Sequence, residues 1–299
     1  AKSMADTNGF RVSKPHIDRA IHRQNKDLQK SVGAELSDEQ IMAIRHVLKP
    51  NQLSAVVGLA GAGKSTLLSV ARAACEAQDY KVYGAALAGK AADGLQSASG
   101  IESRTLASLE ASWKAGYEPV ERDSILVIDE VGMVGTRQLA RMTAELQKRG
   151  CKLVLVGDPN QLQPIEAGTP FRDLLSHIDA AKLTEIRRQK TDWQKQASTS
   201  LARGEIDAAL AAYTDHGKVR ADHDSQDAAI AALAEDYWVH RTLHGETTGR
   251  LALAHRRRDV FKINQSIRAL HKSEGELKEE VLFETETGPR AFAAGDRIV

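Results

Sequence analysis

The stretch Leu53-Ser-Ala-Val-Val-Gly58-Leu-Ala-Gly61-Ala62-Gly63-Lys64-Ser65-Thr66 decides the fold. It opens as a short apolar run closing on glycine, which reads as a buried strand. From Gly58 to Ser65 the spacing is G-x4-G-K-S, and helix-forming sequence follows to about residue 78. Each residue type has a task there. The glycines let backbone amides curl around an anion, and the helix start adds its positive dipole end. Lys64 supplies a point charge for β- and γ-phosphates, and Ser65 offers a hydroxyl to Mg²⁺. A strand before and a helix after make the pattern specific.

Working outward, residues 81–87, 125–129 and 152–157 are further short apolar runs, and the stretch between the last two holds a helix over 135–149. Strands alternating with helices imply a parallel sheet covered on both faces. Upstream, Ser37 with Glu39 and Gln40 predicts a helix start with a capping box. Residues 1–35 read as a helical lead-in or linker, and 36–181 as an ATP-binding domain. Residues 182–299 read as a partial second domain, with helices at 193–212, 225–244 and from 259 to about 272, and a strand at 250–255. The chain starts on Ala1 and stops on AFAAGDRIV, which reads as a strand beginning. We therefore expect an internal piece of a longer protein.

Two more apolar strands deliver chemistry at their ends. Ile125-Leu-Val-Ile-Asp129-Glu130 places a carboxylate pair where open α/β sheets bind ligands. Asp129 suits a metal, and Glu130 suits a general base acting on an attacking water. Gly157-Asp-Pro-Asn-Gln161-Leu-Gln-Pro164 ends the other run. Gln161 has the mixed donor and acceptor character to sense a γ-phosphate or its attacking water. Leu183-Thr-Glu-Ile-Arg187-Arg188-Gln189 could present an arginine to bound phosphate, although paired arginines are more often simply solvated.

The chain has 299 residues, 27% charged and 42% hydrophobic, with only 4% aromatic, so Ala, Leu, Ile and Val must fill the core. No apolar run is long enough to span a membrane, so no membrane insertion is expected. No signal peptide is visible. Cys75 and Cys151 read as buried thiols, which suits a cytoplasmic protein. A net charge of +1 gives a nucleic-acid partner no support. His16 and His22 read as surface residues, Trp113 as core before a base-stacking platform, and residues 254–259 (AHRRRD) as a charged helix start.

In this order the motifs resemble a superfamily 1 DNA helicase of the RecD-like branch, more narrowly the helicase region of the TraA conjugative relaxase-helicases. Residues 36–40 (LSDEQ), 58–66, 128–134, 157–165 and 183–189 resemble successive helicase motifs. The resemblance implies a RecA-like P-loop NTPase fold with an incomplete second RecA-like domain, ATP and Mg²⁺ as cofactors, and 5′-to-3′ movement on single-stranded DNA. It implies that Gln40 reads the adenine edge. It also implies that Gly58, Gly61, Ala62, Gly63, Lys64, Ser65, Thr66 and Asp129 hold the nucleotide, with Ser65 and Asp129 on the metal. Lys64, Glu130, Gln161 and Arg188 are the implied catalytic set. Residues 86–95 and 103–109 resemble strand-holding segments, which points to Lys90, Ser103, Arg104 and Thr105 as DNA contacts. Other relaxosome proteins are the implied partners. The last two helicase motifs and the three-histidine relaxase nuclease are absent from the sequence.

Two other readings stay open. A different P-loop enzyme, such as a GTPase or nucleotide kinase, shares the phosphate loop. Asn25-Lys26-Asp27-Leu28, however, lacks the closing Asp of a guanine reader and precedes the loop. The third reading is a non-catalytic module that recognises DNA or a transfer partner.

Overall fold

A computed structural model describes residues 2–161, 164, 168–187, 189–245, 249–285 and 288–296. The chain forms two compact units, Ala1–His216 and Gly217–Val299. In the first the elements run α1 (Lys2–Asp6), α2 (Lys14–Val32), α3 (Asp38–Val47), β1 (Leu53–Gly58), α4 (Lys64–Glu76), β2 (Val82–Ala86), α5 (Gly89–Ser99), β3 (Glu102–Thr105), α6 (Leu106–Lys114), β4 (Ile125–Ile128), α7 (Thr136–Lys148), β5 (Lys152–Gly157), α8 (Pro170–Leu175), β6 (Ala180–Leu183), α9 (Asp192–Arg203) and α10 (Ile206–Asp215).

The six strands form one sheet in the order β3-β2-β4-β5-β1-β6, with every neighbouring pair parallel. All six strands therefore end at the same edge. Alternation along β5 shows how both faces are filled. Leu153 and Leu155 pack with Leu126, Ile128, Leu139, Met142 and Phe171. Val154 and Val156 pack with Ile44, Leu67, Leu68 and Val127 on the other face. Each such side chain taken fully out of water contributes about 1.5–3 kcal/mol. At the start of β5 sits Lys152, only 1% exposed. Its ammonium donates to Lys49 O (2.8 Å), Ser54 Oγ (3.3 Å), Asn51 O and Asn51 Oδ1, tying the turn after α3 to the base of the sheet.

The expected capping box forms at α3. Ser37 Oγ accepts from Gln40 N at 3.3 Å, and Gln40 Oε1 accepts from Ser37 N at 3.1 Å.

Several boundaries differ from expectation. Residues 1–35 are helical over α1 and α2, as the lead-in reading expects, but they belong to the first unit and do not link to it: Phe10 and Ile21 are buried in its core, and α2 packs on α4. The expected break at 181/182 falls inside β6, which pairs with β1, so the first unit continues to His216. The helix expected over 193–212 is two helices, because Gly204 in the left-handed conformation ends α9.

The second unit holds α11 (Gln226–His244), α12 (Arg257–Ser273), β7 (Glu280–Thr285) and β8 (Gly288–Ala293). The strands pair antiparallel, Glu280 opposite Ala293. Where the sequence suggests the start of a second parallel sheet, the described residues hold this hairpin. Residues 250–255 form no strand, and Leu251 and Leu253 are each 79% exposed. Alternating apolar residues become a strand only where a neighbouring strand receives them. No helix among the described residues is long and apolar enough to cross a membrane.

Candidate functional site

The carboxyl edge of the sheet gathers the motif loops. Gly58 ends β1 and begins the phosphate loop, and Lys64 opens α4. Gly61 and Gly63 have φ of +81° and +80°, a conformation that L side chains rarely adopt. The turn closes with Ala62 N donating to Leu59 O at 3.2 Å. A Cβ on Gly58 would lie 3.0 Å from the Lys64 stem and 3.3 Å from Leu183. A side chain at Gly58 would therefore crowd Lys64 and Leu183. The Lys64 ammonium donates to Gly58 O at 2.8 Å and Leu59 O at 3.3 Å. Ser65 and Thr66 follow in the first turn of α4, both half-buried.

Asp129 follows β4, two strands from β1 in the sheet, and its N–H extends the ladder to Ala85 O at 3.0 Å. Burial pushes its carboxyl above the ordinary range, while the Glu130 amide and the Lys64 charge pull it back. Lys64 is thus close enough to act electrostatically on Asp129. Glu130 is exposed and held at φ +52°, with its N–H on Asp129 Oδ1 at 2.9 Å. A non-glycine residue there carries backbone strain, as functional sites often do.

The loop after β5 rests on the loop after β4. A Cβ on Gly132 would lie 2.8 Å from Asp158 O. Within that third loop Asp158 Oδ1 accepts from Asn160 N at 2.9 Å, and Asp158 O from Gln161 N at 3.3 Å, which holds exposed Gln161 at the turn. The Asp129 and Gln161 loops are thus in contact, and the Lys64 loop leaves the same edge from β1, which neighbours β5. Arg188 lies outside the described residues. Arg187, beside it, donates through its backbone N to Gly61 O at 2.9 Å.

Gln40 sits against the phosphate loop, 2% exposed, with Nε2 3.4 Å from Gly63 O. The four candidate DNA residues lie at the far end of the sheet, Lys90 in α5 and Ser103, Arg104 and Thr105 on β3. Lys90 is exposed in the first turn of α5, and Arg104 is exposed and 3.8 Å from Glu102. Ser103 and Thr105 each make a local contact as well. Ser103 Oγ donates to Ile101 O at 2.7 Å, and Thr105 Oγ1 caps α6 by accepting from Ser108 N at 3.1 Å. Trp113 packs at the core with the Arg149 guanidinium over its ring. His22 is exposed and His16 is half-buried.

The donor set suits a nucleotide and its divalent ion: a left-handed double-glycine loop, a helix start, one hydroxyl at Ser65 and one carboxylate at Asp129, all hard oxygen or amide groups. Two contributors were not visible in the sequence. Gly132 is needed for loop seating. Glu39 accepts from Thr184 N (2.7 Å), Thr184 Oγ1 and Glu185 N, fastening the exit of β6 to α3. Only the glycine in DEVGM offered a signal for the first.

A parallel sheet with these loops at its carboxyl edge defines a P-loop nucleotide-binding domain. Residues 35–224 match the family model described as an AAA domain, and the chain belongs to that family. The chain is 42% identical over 296 residues to the conjugal transfer protein TraA of Rhizobium radiobacter, covering 99% of this chain and 26% of that protein. It is 44% identical over 284 residues to a probable conjugal transfer protein TraA of Sinorhizobium fredii, covering 94% and 25%. It is 32% identical over 159 residues to the ATP-dependent RecD2 DNA helicase of Deinococcus radiodurans, covering 52% and 22%. The chain thus spans about a quarter of the length of these relatives.

Proposed function

We propose that this chain is the ATP-hydrolysing part of a conjugative relaxase-helicase, a motor that moves 5′-to-3′ on single-stranded DNA. The observation that carries the reading is the seating of three loops, bearing Lys64, Asp129 with Glu130, and Gln161, at one sheet edge. The similarity to TraA proteins and to a RecD2 helicase supports DNA as the track.

In this reading the Lys64 ammonium leaves the carbonyls of Gly58 and Leu59 for the β- and γ-phosphates. Ser65 and Asp129 hold Mg²⁺, which when bound neutralises charge on the phosphate oxygens. Glu130 accepts the proton of a water that adds to the γ-phosphorus as the bond to the ADP oxygen breaks. Gln161 orients that water, and Arg188 offsets the developing charge. Lys90 and Arg104 contact the strand's phosphates, and other relaxosome proteins are the partners.

The test is ATP hydrolysis by the full-length protein with and without single-stranded DNA. The strand should stimulate hydrolysis, and Lys64→Ala should abolish it. Stimulated hydrolysis that survives Lys64→Ala would end the motor reading. Equal use of GTP without any DNA response would favour a different P-loop enzyme.

A further inference from the structure

β6 is the last strand of its sheet, paired to β1 on one side and to no other strand among the described residues. Leu183 O accepts from Leu59 N at 3.1 Å, which turns the backbone groups of Leu183 toward β1. In a parallel pair these groups alternate sides along the strand, so those of Ala180, Lys182 and Thr184 face outward. Thr184 bears this out: its N–H is taken on that outer side by Glu39 Oε2 at 2.7 Å. Glu39 thus closes the edge at its carboxyl end and leaves Lys182 open. An open strand edge is a template for another extended chain.

A groove runs beside that edge. Its walls are Met42, Arg45, His46 and Lys49, from α3 and the turn after it, and Ala181 and Lys182 from β6. Met42 is 62% exposed and gives the groove an apolar wall. The rim is basic. Arg45, Lys49 and Lys182 are all exposed, and among the described residues only the first of them has an ion-pair partner, Asp18 at 3.5 Å. Glu39, the carboxylate in the groove, already accepts from Thr184 N, Thr184 Oγ1 and Glu185 N. This local excess of positive charge stands in a chain whose net charge is only +1. It also disfavours a second copy of the chain as the occupant, because pairing two β6 edges would bring their Lys182 side chains together.

We propose that the outer edge of β6 is a docking site for an extended acidic peptide of a partner protein, which adds as a further strand of the sheet. The peptide's main chain bonds to the outward groups of Ala180 and Lys182, and an apolar side chain lies on Met42. Its carboxylates meet Arg45, Lys49 and Lys182. Nucleotide takes no part in this contact, so Lys64→Ala should bind the peptide as wild type does.

The probe is a fluorescein-labelled, amidated octapeptide of alternating glutamate and valine, titrated with the full-length protein and read by anisotropy. A peptide of alternating lysine and valine should bind at least about tenfold more weakly. Lys182→Glu, and Arg45→Glu with Lys49→Glu, should each weaken the acidic peptide by about tenfold while ATP hydrolysis stays unchanged. Backbone pairing has its own readout. N-methylating all the valines, or all the glutamates, removes the N–H groups along one edge of the peptide. One pattern should abolish binding and the other should leave it within about threefold. Equal binding of acidic and basic peptides, indifference to Lys182→Glu, or an equal response to both methylation patterns would overturn the dock. So would displacement of the peptide by a thymidine oligonucleotide with the same dependence on Lys182, since the groove would then be a nucleic-acid contact.

Discussion

Gly132 and the Asp158 carbonyl are in contact that no side chain could share: a Cβ on the glycine would lie 2.8 Å from that oxygen. Gly157 repeats the constraint from the other side, its Cβ position being 3.1 Å from Gly132 N. The loops carrying Asp129 and Gln161 are thereby seated on one another, and their spacing depends on two missing methyl groups. Gly132→Ala must push the loops apart by moving backbone. Because small misplacements of reacting groups are costly, we expect kcat for ATP hydrolysis to fall about tenfold or more. ADP affinity, governed by the loop after β1, should change less than about twofold. Steady-state kinetics and calorimetry on the same variant check the split.

Glu130 is exposed, adjacent to the Asp129 carboxylate, and held at φ +52°. That backbone conformation aims the side chain independently of the strand. Glu130→Gln keeps size and backbone while removing the proton acceptor. Hydrolysis should drop by roughly 10²- to 10⁴-fold, the span for loss of a general base. Nucleotide binding should persist. Single-turnover ATP hydrolysis beside ADP titration reads both, and a fall of only a few-fold would remove Glu130 from the chemistry.

The Asp129 carboxyl is raised by burial, partly offset by the Glu130 amide and Lys64. With a folded value above the unfolded one, ionisation is penalised by folding, so this group favours the native state as pH falls through its folded value. Metal binding runs the opposite way, since the ligand must be deprotonated. The gain in ADP affinity on adding Mg²⁺ should therefore fade on acidification at a higher pH than for an exposed aspartate. Asp129→Asn should lack that gain at every pH. Titrations with and without Mg²⁺, run on acidification from neutral pH for this protein and for Asp129→Asn, follow the difference.

How far the sequence reveals these arrangements depends on where the information lies. β1, β4 and β5 are legible because they are central strands, buried on both faces and written as unbroken apolar runs. β3 (ESRT) and β6 (AAKL) are not, since they occupy the two edges and need little apolar character. The same holds in the site. Gly58 to Thr66 and the Asp129-Glu130 pair carry their chemistry within one short segment. The Gln40–Arg187 contact joins residues 147 positions apart, and no local spacing announces it. Ser103 shows the converse. Its hydroxyl, which suggests a phosphate contact, donates to a neighbouring carbonyl.

Lys152 gives a prediction on stability. Burial draws it from 10.5 down to about 8, so at neutral pH it still carries the charge that its four oxygen acceptors suit. Between those two values the unfolded chain remains protonated while the folded chain does not. The unfolded state then binds more protons, so stability should rise with pH across that window and be flat below it. Lys152→Met should remove this slope. Because it also leaves Lys49 O and Asn51 O without their donor, it should cost about 2–4 kcal/mol at neutral pH. Urea unfolding from pH 7 to 10.5 on both proteins isolates the difference.

The last prediction concerns the proposed strand track at the β3 end of the edge, four strand spacings or roughly 19 Å from β1. Of the four residues there, only Lys90 and Arg104 have exposed charged groups; Ser103 and Thr105 hold the fold. Phosphate contacts bring affinity without sequence preference and release counterions in proportion to their number. Lys90→Ala and Arg104→Ala should each weaken single-stranded DNA binding equally across sequences. Each should also flatten the plot of log affinity against log salt by about one contact's share, roughly 0.7. Ser103→Ala should instead lower the melting temperature and leave that slope unchanged. Fluorescence anisotropy over a salt series, paired with thermal melts, separates the two outcomes. An unchanged slope in both charge variants would move the DNA path away from β2 and β3.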